Sequence, residues 1–389
     1  MMAEPVIAGI GQSRVGRVSD RSTAQLHSDA VQAALDDAGL TFKDIDGLFT
    51  TPLRVEHWQA PAAVAANNLG LRPRYMATVD LAGASGAAMV QQAVAAVANG
   101  YCTTALCVAG QNLLSQRTRA DAVKSMAESG SAHPQFEVPY GPVVPSLYAL
   151  VAQRHMHQYG TTSEQMAEVA VAIRANAALN PAAHKRDPIS VTDVLASRMI
   201  STPLHVLDCA IVSDGAGALI VTTRDRARDL KTKPVHLLGA GFGTRHSHIG
   251  EARDPVVTGA VDSGKQAFAA AGLTPTEVDV AQIYDCFSIT VLIELEDLGF
   301  CAKGEGGPFV MDGRIRRGGA LPITTHGGLM SFGHPGVGGG LFHVLEAVRQ
   351  VRGDAADRQV PGAEVALAHG NGGVMSVHCT LLLGKESRR

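Results

Sequence analysis

Two stretches of this 389-residue chain repeat one pattern: residues 34–46 read ALDDAGLTFKDID and residues 267–279 read AFAAAGLTPTEVD. Both begin with alanine, contain Ala-Gly-Leu-Thr and end in aspartate, and their glycines, Gly39 and Gly272, lie 233 residues apart. The first stretch closes a segment, Thr23–Ala38, whose apolar residues have helical spacing, and Gly39 is placed to cap that helix. The pair therefore predicts a helix and a glycine turn that occur twice.

The similarity continues on the C-terminal side of each stretch. The predicted helix at residues 86–100 resembles the one at 339–353, and the predicted strand at 105–110 resembles the one at 365–370. Each half thus runs helix, glycine turn, strand, glycine-rich helix, strand. An internal duplication of an α/β unit is the simplest account, since chance similarity between two amphipathic helices would not preserve that order.

The duplication divides the chain into an N-terminal half, residues 1–230, and a C-terminal half, residues 231–389. The first half carries an insertion at about 111–199, with a Pro-rich turn region at 133–145 and a predicted helix at 163–179. Insertions of that size in an α/β scaffold usually build the substrate site, because loops tolerate variation that the core does not.

Composition excludes several classes of function. The net charge of -3 gives no reason to expect nucleic acid or an anionic membrane as partner. No apolar run approaches the ~18 residues of a spanning helix. The first residues lack the basic start and apolar core of a signal peptide, so we expect a cytoplasmic protein. None of the six cysteines forms a C-x-x-C pair, and no metal cluster or nucleotide-binding motif is evident, so we expect no metal and no bound cofactor.

Four motifs follow one another along the chain. They are Ser213-Asp214-Gly215-Ala216-Gly217-Ala218, Tyr284-Asp285-Cys286-Phe287, His326-Gly327-Gly328 with Gly333-His334-Pro335-Gly336, and Gly370-Asn371-Gly372-Gly373. Together with the duplication they resemble the thiolase superfamily, specifically its sterol-carrier-protein-2 thiolase-like branch. That resemblance implies the α/β thiolase fold: two duplicated βαβ-type halves in a five-layered α-β-α-β-α arrangement with an inserted loop domain. It also implies acyl-CoA substrates, with CoA present only as part of the substrate, and at least a homodimer.

The sequence departs from the family at Gly83. Thiolases place their nucleophilic cysteine at the first position of a stretch similar to Gly83-Ala84-Ser85-Gly86, at a helix N-terminus that favours the thiolate. Glycine has no side chain, so no acyl-enzyme can form there. Ser85 is a weak substitute because no motif supplies a base for it, and it suits the turn as a helix cap.

Three residues are candidates for catalysis. His334 precedes a glycine-rich helix start, where an imidazole can donate to a thioester oxygen as negative charge develops; the alternative is a turn histidine on the surface. Tyr284 is predicted to end a strand, Val278–Tyr284, before a helix that begins near Ser288. A phenol that is partly desolvated and close to a cationic group can exchange a proton with a substrate hydroxyl; otherwise it is a packed tyrosine. Cys286 is either a neutral acid for a carbanion or an inert buried thiol.

Three further positions belong to the expected active-site loops. Backbone N–H groups near Gly373 are candidates for holding an enolate oxygen. His369 stands where the resemblance places the second thiolase cysteine, and His326 opens the glycine-histidine-proline motif. Both histidines are more typical of structural than of catalytic residues.

The missing nucleophile favours a carbon–carbon lyase. A β-hydroxyacyl-CoA can break its Cα–Cβ bond by retro-aldol chemistry, which needs proton transfer and an oxyanion site but no covalent cysteine intermediate. The resemblance is to bacterial aldolases of steroid side-chain degradation, which implies an OB-fold, zinc-ribbon (DUF35-type) partner protein. Two alternatives stay open: an acyltransferase or thiolase with an atypical nucleophile such as Cys286, and a non-catalytic acyl-CoA-binding or assembly subunit.

Overall fold

The structure is a computed structural model that describes residues 4–116, 133, 135–140 and 143–386. Parts of the predicted insertion and of its Pro-rich turn region lie outside these residues. The strands are β1 (Pro5–Gln12), β2 (Gly47–Thr50), β3 (Tyr75–Thr78), β4 (Thr104–Asn112), β5 (Met199–Ser201), β6 (Leu204–His205), β7 (Asp214–Thr223), β8 (His236–Thr244), β9 (Val280–Gln282), β10 (Val365–Gly372) and β11 (Val377–Gly384).

The helices in the described part of the chain range from single turns to sixteen residues. They are α1 (Thr23–Ala38), α2 (Pro61–Asn68), α3 (Ser85–Ala98), α4 (Leu113–Gln116), α5 (Val144–Tyr159), α6 (Ser163–Ala178), α7 (Val191–Ala196), α8 (Arg224–Ala227), α9 (Ala260–Ala271), α10 (Ser288–Asp297), α11 (Gly306–Val310) and α12 (Gly339–Arg352). Within these residues no helix is both long and apolar enough to cross a membrane.

Two mixed sheets repeat one topology. The first has the order β1-β7-β4-β2-β3, with antiparallel pairing up to β4 and parallel pairing beyond it. The second has the order β8-β11-β10-β9, again antiparallel up to β10 and parallel to β9. The second sheet therefore copies the first four strands of the first in order and direction. This confirms the duplication that the sequence predicted.

The helices form three layers around the two sheets. Helix α1 packs on β1, β7 and β4, and its counterpart α9 packs on β8 and β11. Helices α3 and α12 contact each other and strands of both sheets, so they form the central layer. The predicted five-layered thiolase fold is confirmed. The boundary at residue 230 between the halves stays a prediction.

The two central helices approach each other closely at their N-terminal ends. A β-carbon at Gly86 would overlap the backbone of Gly340 and Leu341, and one at Gly340 would overlap the carbonyl oxygen of Gly83. Only glycine permits backbone contact of this kind. The close approach brings the stretch that begins at Gly83 next to the start of α12, just after the glycine-histidine-proline motif.

The described part of the insertion packs over the C-terminal half. Helix α6 contacts α10 and a short π-helical turn, Gly328–Phe332, and α5 also contacts α10. The π-helical turn belongs to the motif that runs from His326 to Gly336, and α10 follows the motif that begins at Tyr284, so the insertion packs next to two of the quoted motifs.

One predicted strand is shorter than expected. Within the predicted strand Val278–Tyr284, only the residues of β9 form a strand. The reason is that β9 is an edge strand that pairs with three residues of β10. The chain then leaves the sheet, so Tyr284 lies in the loop before α10 rather than at a strand end. The helix predicted to begin near Ser288 begins there.

Candidate active site

A side chain at Gly83 has no room. A β-carbon placed there would overlap the hydroxyl oxygen and the adjoining ring carbon of Tyr284, and also the carbonyl oxygen of Asn371. The phenol therefore occupies the volume that a nucleophilic side chain at Gly83 would need. The glycine and the tyrosine, 201 positions apart in the sequence, are two parts of one steric arrangement.

Tyr284 is 4% exposed, and its ring lies between two histidines. It stacks on His343 with ring centroids 5.7 Å apart and meets His334 edge-on at 6.3 Å. Burial raises the pKa of Tyr284 well above its ordinary value, and Cys286 and Asp285 raise it further. A cationic neighbour would lower the pKa of this phenol, whereas burial and acidic neighbours raise it, so the phenol is neutral at physiological pH.

Asp285 connects Tyr284 to the glycine-rich turn before α12. Its carboxylate is fully buried and accepts hydrogen bonds from the backbone N–H of Leu329 at 2.8 Å and of Met330 at 3.0 Å. It also lies 3.1 Å from Nε2 of His343. Three donors on one buried carboxylate fix the position of the π-helical turn and of the ring beneath Tyr284.

His334 follows that turn and is 8% exposed. Its carbonyl oxygen accepts a hydrogen bond from the Ser213 N–H at 3.1 Å, so the motif that begins at Ser213 holds it in place. Burial, and then the proximity of His343, lower the pKa of His334 to about 4. The imidazole is therefore neutral at physiological pH. A neutral ring has one N–H, which can donate to an oxyanion without itself carrying charge.

Cys286 is buried, and its sulfur lies 3.4 Å from the hydroxyl oxygen of Thr290. Burial raises the pKa of the Cys286 thiol to about 12. The thiolate is the nucleophilic form of cysteine. At physiological pH this residue is therefore a protonated thiol, which carries a proton but is not the form that attacks a carbonyl.

The sequence analysis missed Tyr148 of α5, which reaches this site from the insertion. Its ring stacks on Phe287 at 4.3 Å, its hydroxyl donates to the carbonyl oxygen of Gly373 at 3.0 Å, and the hydroxyl accepts from the Asn371 amide at 3.2 Å. Burial raises the pKa of the Tyr148 hydroxyl well above its ordinary value, and the Cys286 thiol raises it further. Nothing in the sequence marks this tyrosine, because its neighbours in α5 have the ordinary pattern of a partly buried helix. Asn371, by contrast, stands in a quoted motif.

The remaining predicted positions lie around the site rather than against Tyr284. His369 faces away within the second sheet, where its two ring nitrogens lie near Thr380 and His378. His326 is 1% exposed and packs edge-on against His343 at 5.0 Å. Gly373 is exposed in the loop after β10, with a φ of 66°.

Ser85 does not act as the helix cap that the sequence suggested. It is the first residue of α3, and its buried hydroxyl accepts a hydrogen bond from the Leu81 N–H at 2.8 Å. The hydroxyl thereby closes the turn before the helix, which gives it a structural task.

The overlap at Gly83 can be tested by a double-mutant cycle. We expect Gly83→Ala to lower the free energy of unfolding by about 1–3 kcal/mol, the usual cost of overpacking. In a Tyr284→Ala background the cost should be smaller by about 1 kcal/mol or more, because the overlapping phenol is gone. Denaturant unfolding measures all four proteins. Gly318→Ala is the matched control, since a β-carbon there meets nothing within 4 Å. Equal costs in both backgrounds would show that the phenol does not occupy this volume.

Comparison with known families agrees with this geometry. Residues 5–198 match the family described as the thiolase N-terminal domain, and residues 241–385 match the thiolase C-terminal domain-like family. An acetyl-CoA acetyltransferase of Methanothermobacter thermautotrophicus is 34% identical over 97% of this chain and 99% of its own length. A steroid side-chain-cleaving aldolase of Thermomonospora curvata is 37% identical over 94% of this chain and 95% of its own.

A solved structure titled Ltp2-ChsH2(DUF35) aldolase superposes with a TM-score of 0.86 at 34% identity, covering 98% of this chain and 97% of that one. The relatives thus include both transferases and aldolases on one fold. The chain belongs to the thiolase superfamily, in its sterol-carrier-protein-2 thiolase-like branch.

Proposed function

We propose that this protein is an acyl-CoA aldolase, which cleaves a β-hydroxyacyl-CoA by a retro-aldol reaction to a ketone or aldehyde and a shorter acyl-CoA. The observation that carries the proposal is the Tyr284 hydroxyl in the volume next to Gly83. A substrate whose β-carbon lies above Gly83, where a thiolase cysteine would attack, meets a phenol there. A phenol can exchange a proton with a β-hydroxyl, and one whose pKa is raised by burial is a poor nucleophile for forming an acyl-enzyme.

The reaction needs one proton to move from the β-hydroxyl oxygen to Cα. As the Cα–Cβ bond breaks, its electron pair passes to the thioester as an enolate, and the β-carbon becomes a carbonyl. Tyr284 starts neutral because of its burial, so it acts as a relay: its oxygen takes the hydroxyl proton as its own proton is passed on. General acid–base help of this kind contributes about 10²–10⁴-fold.

Cys286 is our candidate for the group that protonates the enolate at Cα. Its thiol carries a proton at physiological pH. The Tyr148 hydroxyl neighbours that thiol. We propose that the proton that Tyr284 passes on returns to Cys286 through the Tyr148 hydroxyl, which would leave its hydrogen bond to Gly373 for that step. At the end of the cycle each residue is neutral again.

His334 is our candidate for holding the enolate oxygen, together with backbone N–H groups near Gly373. The ring is neutral and edge-on to Tyr284, so it offers a donor next to the phenol without introducing a buried cation. A preorganised donor at an oxyanion typically contributes about 3–4 kcal/mol. The relative named as an aldolase makes steroid side-chain acyl-CoA esters the first substrates to test.

Two other functions compete with the aldolase. The relative named as an acetyl-CoA acetyltransferase favours a transferase or thiolase that uses an atypical nucleophile. The raised pKa of Cys286 argues against that residue in the role, because so little thiolate is present. The third possibility is a non-catalytic acyl-CoA-binding or assembly subunit, which would bind the ester without turnover.

We also propose two assemblies. The similarity to a solved Ltp2-ChsH2(DUF35) aldolase supports a DUF35-type OB-fold partner for this chain. The open edge of the first sheet supports a homodimer. Strand β3 forms that edge, Met76 on it is 48% exposed, and Tyr75 stacks on the 56% exposed Tyr101 at 5.3 Å. The free edge of a strand that carries exposed apolar side chains readily pairs with the same edge of a second copy.

The activity is tested with a panel of β-hydroxyacyl-CoA and β-ketoacyl-CoA esters, assayed with the DUF35-type partner. We expect release of a free carbonyl product from a β-hydroxyacyl-CoA without consumption of free CoA. Tyr284→Phe should lower kcat by about 10²–10⁴-fold, and His334→Ala by about 10²–10³-fold. Cys107→Ser is the matched control for Cys286→Ser, because Cys107 is a buried thiol in β4 away from the site.

The three functions give different results in that assay. Cleavage of a β-ketoacyl-CoA only when free CoA is added would establish the transferase. Ester binding without any turnover, with the partner present, would favour the binding subunit. Full activity in Tyr284→Phe would contradict the proposed role of the phenol.

The dimer is tested by analytical ultracentrifugation. We expect wild-type protein to sediment at about twice the 40.5 kDa chain mass. Met76→Asp should shift it to the monomer, because a carboxylate opposes pairing at this edge. Leu150→Asp is the control: it places the same charge at another exposed apolar residue, 62% exposed on α5. A wild-type monomer, or a Met76→Asp dimer, would contradict the proposed interface.

A further inference from the structure

Three buried side chains behind the active site converge on one point. They are Glu294 on α10, His369 on β10 and His378 on β11, each at most 1% exposed. Nε2 of His369 lies 3.0 Å from Nδ1 of His378 and 3.8 Å from Oε1 of Glu294. One potential ligand atom from each residue falls within 4.8 Å of the others, the only such group of three in the part of the chain that the structure describes.

In each imidazole, the ring nitrogen on the side away from the other histidine contacts a neighbouring polar group that orients the ring. Nδ1 of His369 lies 2.9 Å from the hydroxyl oxygen of Thr380, and Nε2 of His378 donates to the carbonyl oxygen of Met375 at 3.1 Å. The two inward nitrogens face each other. Metal-binding histidines characteristically show this division, with one nitrogen on the ion and the other hydrogen-bonded to a hydroxyl, carboxylate or backbone carbonyl that orients the ring.

Hydrogen bonds within the cluster satisfy the histidines but not the carboxyl group of Glu294. His378 donates through Nε2, so its Nδ1 can accept the proton of His369 Nε2. Neither carboxyl oxygen of Glu294 has a hydrogen bond of normal geometry, although both are buried, and the polar groups next to them are the Asn371 side chain and the Tyr284 N–H. A buried carboxylate that is held so weakly is costly, and its position beside two inward ring nitrogens suits a further, cationic group.

We propose that Glu294, His369 and His378 bind one divalent transition-metal ion. Two imidazoles and a carboxylate are a ligand set for Zn²⁺, Fe²⁺, Mn²⁺ or Co²⁺. Metal–nitrogen bonds of about 2.0–2.1 Å put two neighbouring ligand nitrogens roughly 3 Å apart, which matches the spacing of the two inward nitrogens.

The ion would stabilise the position of two active-site residues, Asn371 and Tyr284. Asn371, whose carbonyl oxygen lies at Gly83, follows His369 by two residues on the same strand. The side chain of Asn371 and the backbone N–H of Tyr284 are the polar groups next to the Glu294 carboxyl. An ion held between α10, β10 and β11 would fix both residues without touching substrate. The sequence analysis predicted no metal site because it relied on close ligand spacing, and 75 positions separate Glu294 from His369.

The test is metal binding by the whole purified chain, stripped with a chelator and dialysed. We expect one Zn²⁺ per chain by isothermal titration calorimetry and elemental analysis, and visible absorption bands with Co²⁺. Glu294→Gln and His378→Gln should each weaken binding by at least about 100-fold. Thr380→Val removes only the hydroxyl group that orients His369, and this change should weaken metal binding by about 10–100-fold.

His326→Gln is the matched control, because it removes a buried histidine outside the cluster, and we expect its affinity to equal that of wild type. Binding of less than one ion per wild-type chain overturns the proposal, whether or not the variants fold. So does stoichiometric binding that His378→Gln leaves unchanged, since the ion would then lie elsewhere. The measurement involves no turnover, so its failure leaves the proposed aldolase function standing.

Discussion

The Tyr284 phenol against Gly83 is the contact on which the site depends. The glycine is required for two reasons, because a β-carbon at this position would overlap both the Tyr284 phenol and the carbonyl oxygen of Asn371. In a duplicated fold, the N-terminal ends of the two central helices meet at this point. The glycine without a side chain at position 83 and the Tyr284 ring from the loop before α10 are therefore complementary in one fixed volume.

Burial then decides which chemistry the site can perform. Water is excluded from the tyrosine, the cysteine and the histidine, and in each case the exclusion moves the pKa toward the neutral form. A site of neutral acids and donors suits proton relay and oxyanion stabilisation. It does not suit a thiolate or a preformed phenolate. The carboxyl group of Asp285, the residue after Tyr284, has a structural role, because its oxygens contact the backbone N–H groups of Leu329 and Met330 and the ring of His343.

Much of the fold could be predicted because the sequence contains the same α/β unit twice. The repeated Ala-Gly-Leu-Thr segments and the paired glycine-rich helices define α1, α9, α3 and α12, and the structure places these helices as the duplication requires. The strand before Tyr284 was predicted too long, since an alternating apolar pattern does not reveal that an edge strand pairs over only three residues.

The candidate site could be predicted only where its residues stand in motifs. Tyr284, Cys286 and His334 were found in this way, and Asn371 was within reach because it belongs to a quoted loop. Tyr148 and Glu294 were not, because each lies on a helix whose local pattern explains it as a core residue. Their contacts with Gly373 and His369 join segments far apart in the chain, and no spacing rule covers such distances.

Retro-aldol cleavage forms no acyl-enzyme, so intact-protein mass spectrometry of rapidly quenched turnover distinguishes it from acyl transfer. We expect the chain to keep its unmodified mass while a β-hydroxyacyl-CoA is cleaved and free carbonyl accumulates. A transient mass increase equal to an acyl group, mapped to Cys286, Ser85 or another side chain, would contradict it and would identify the protein as a transferase with an unrecognised nucleophile.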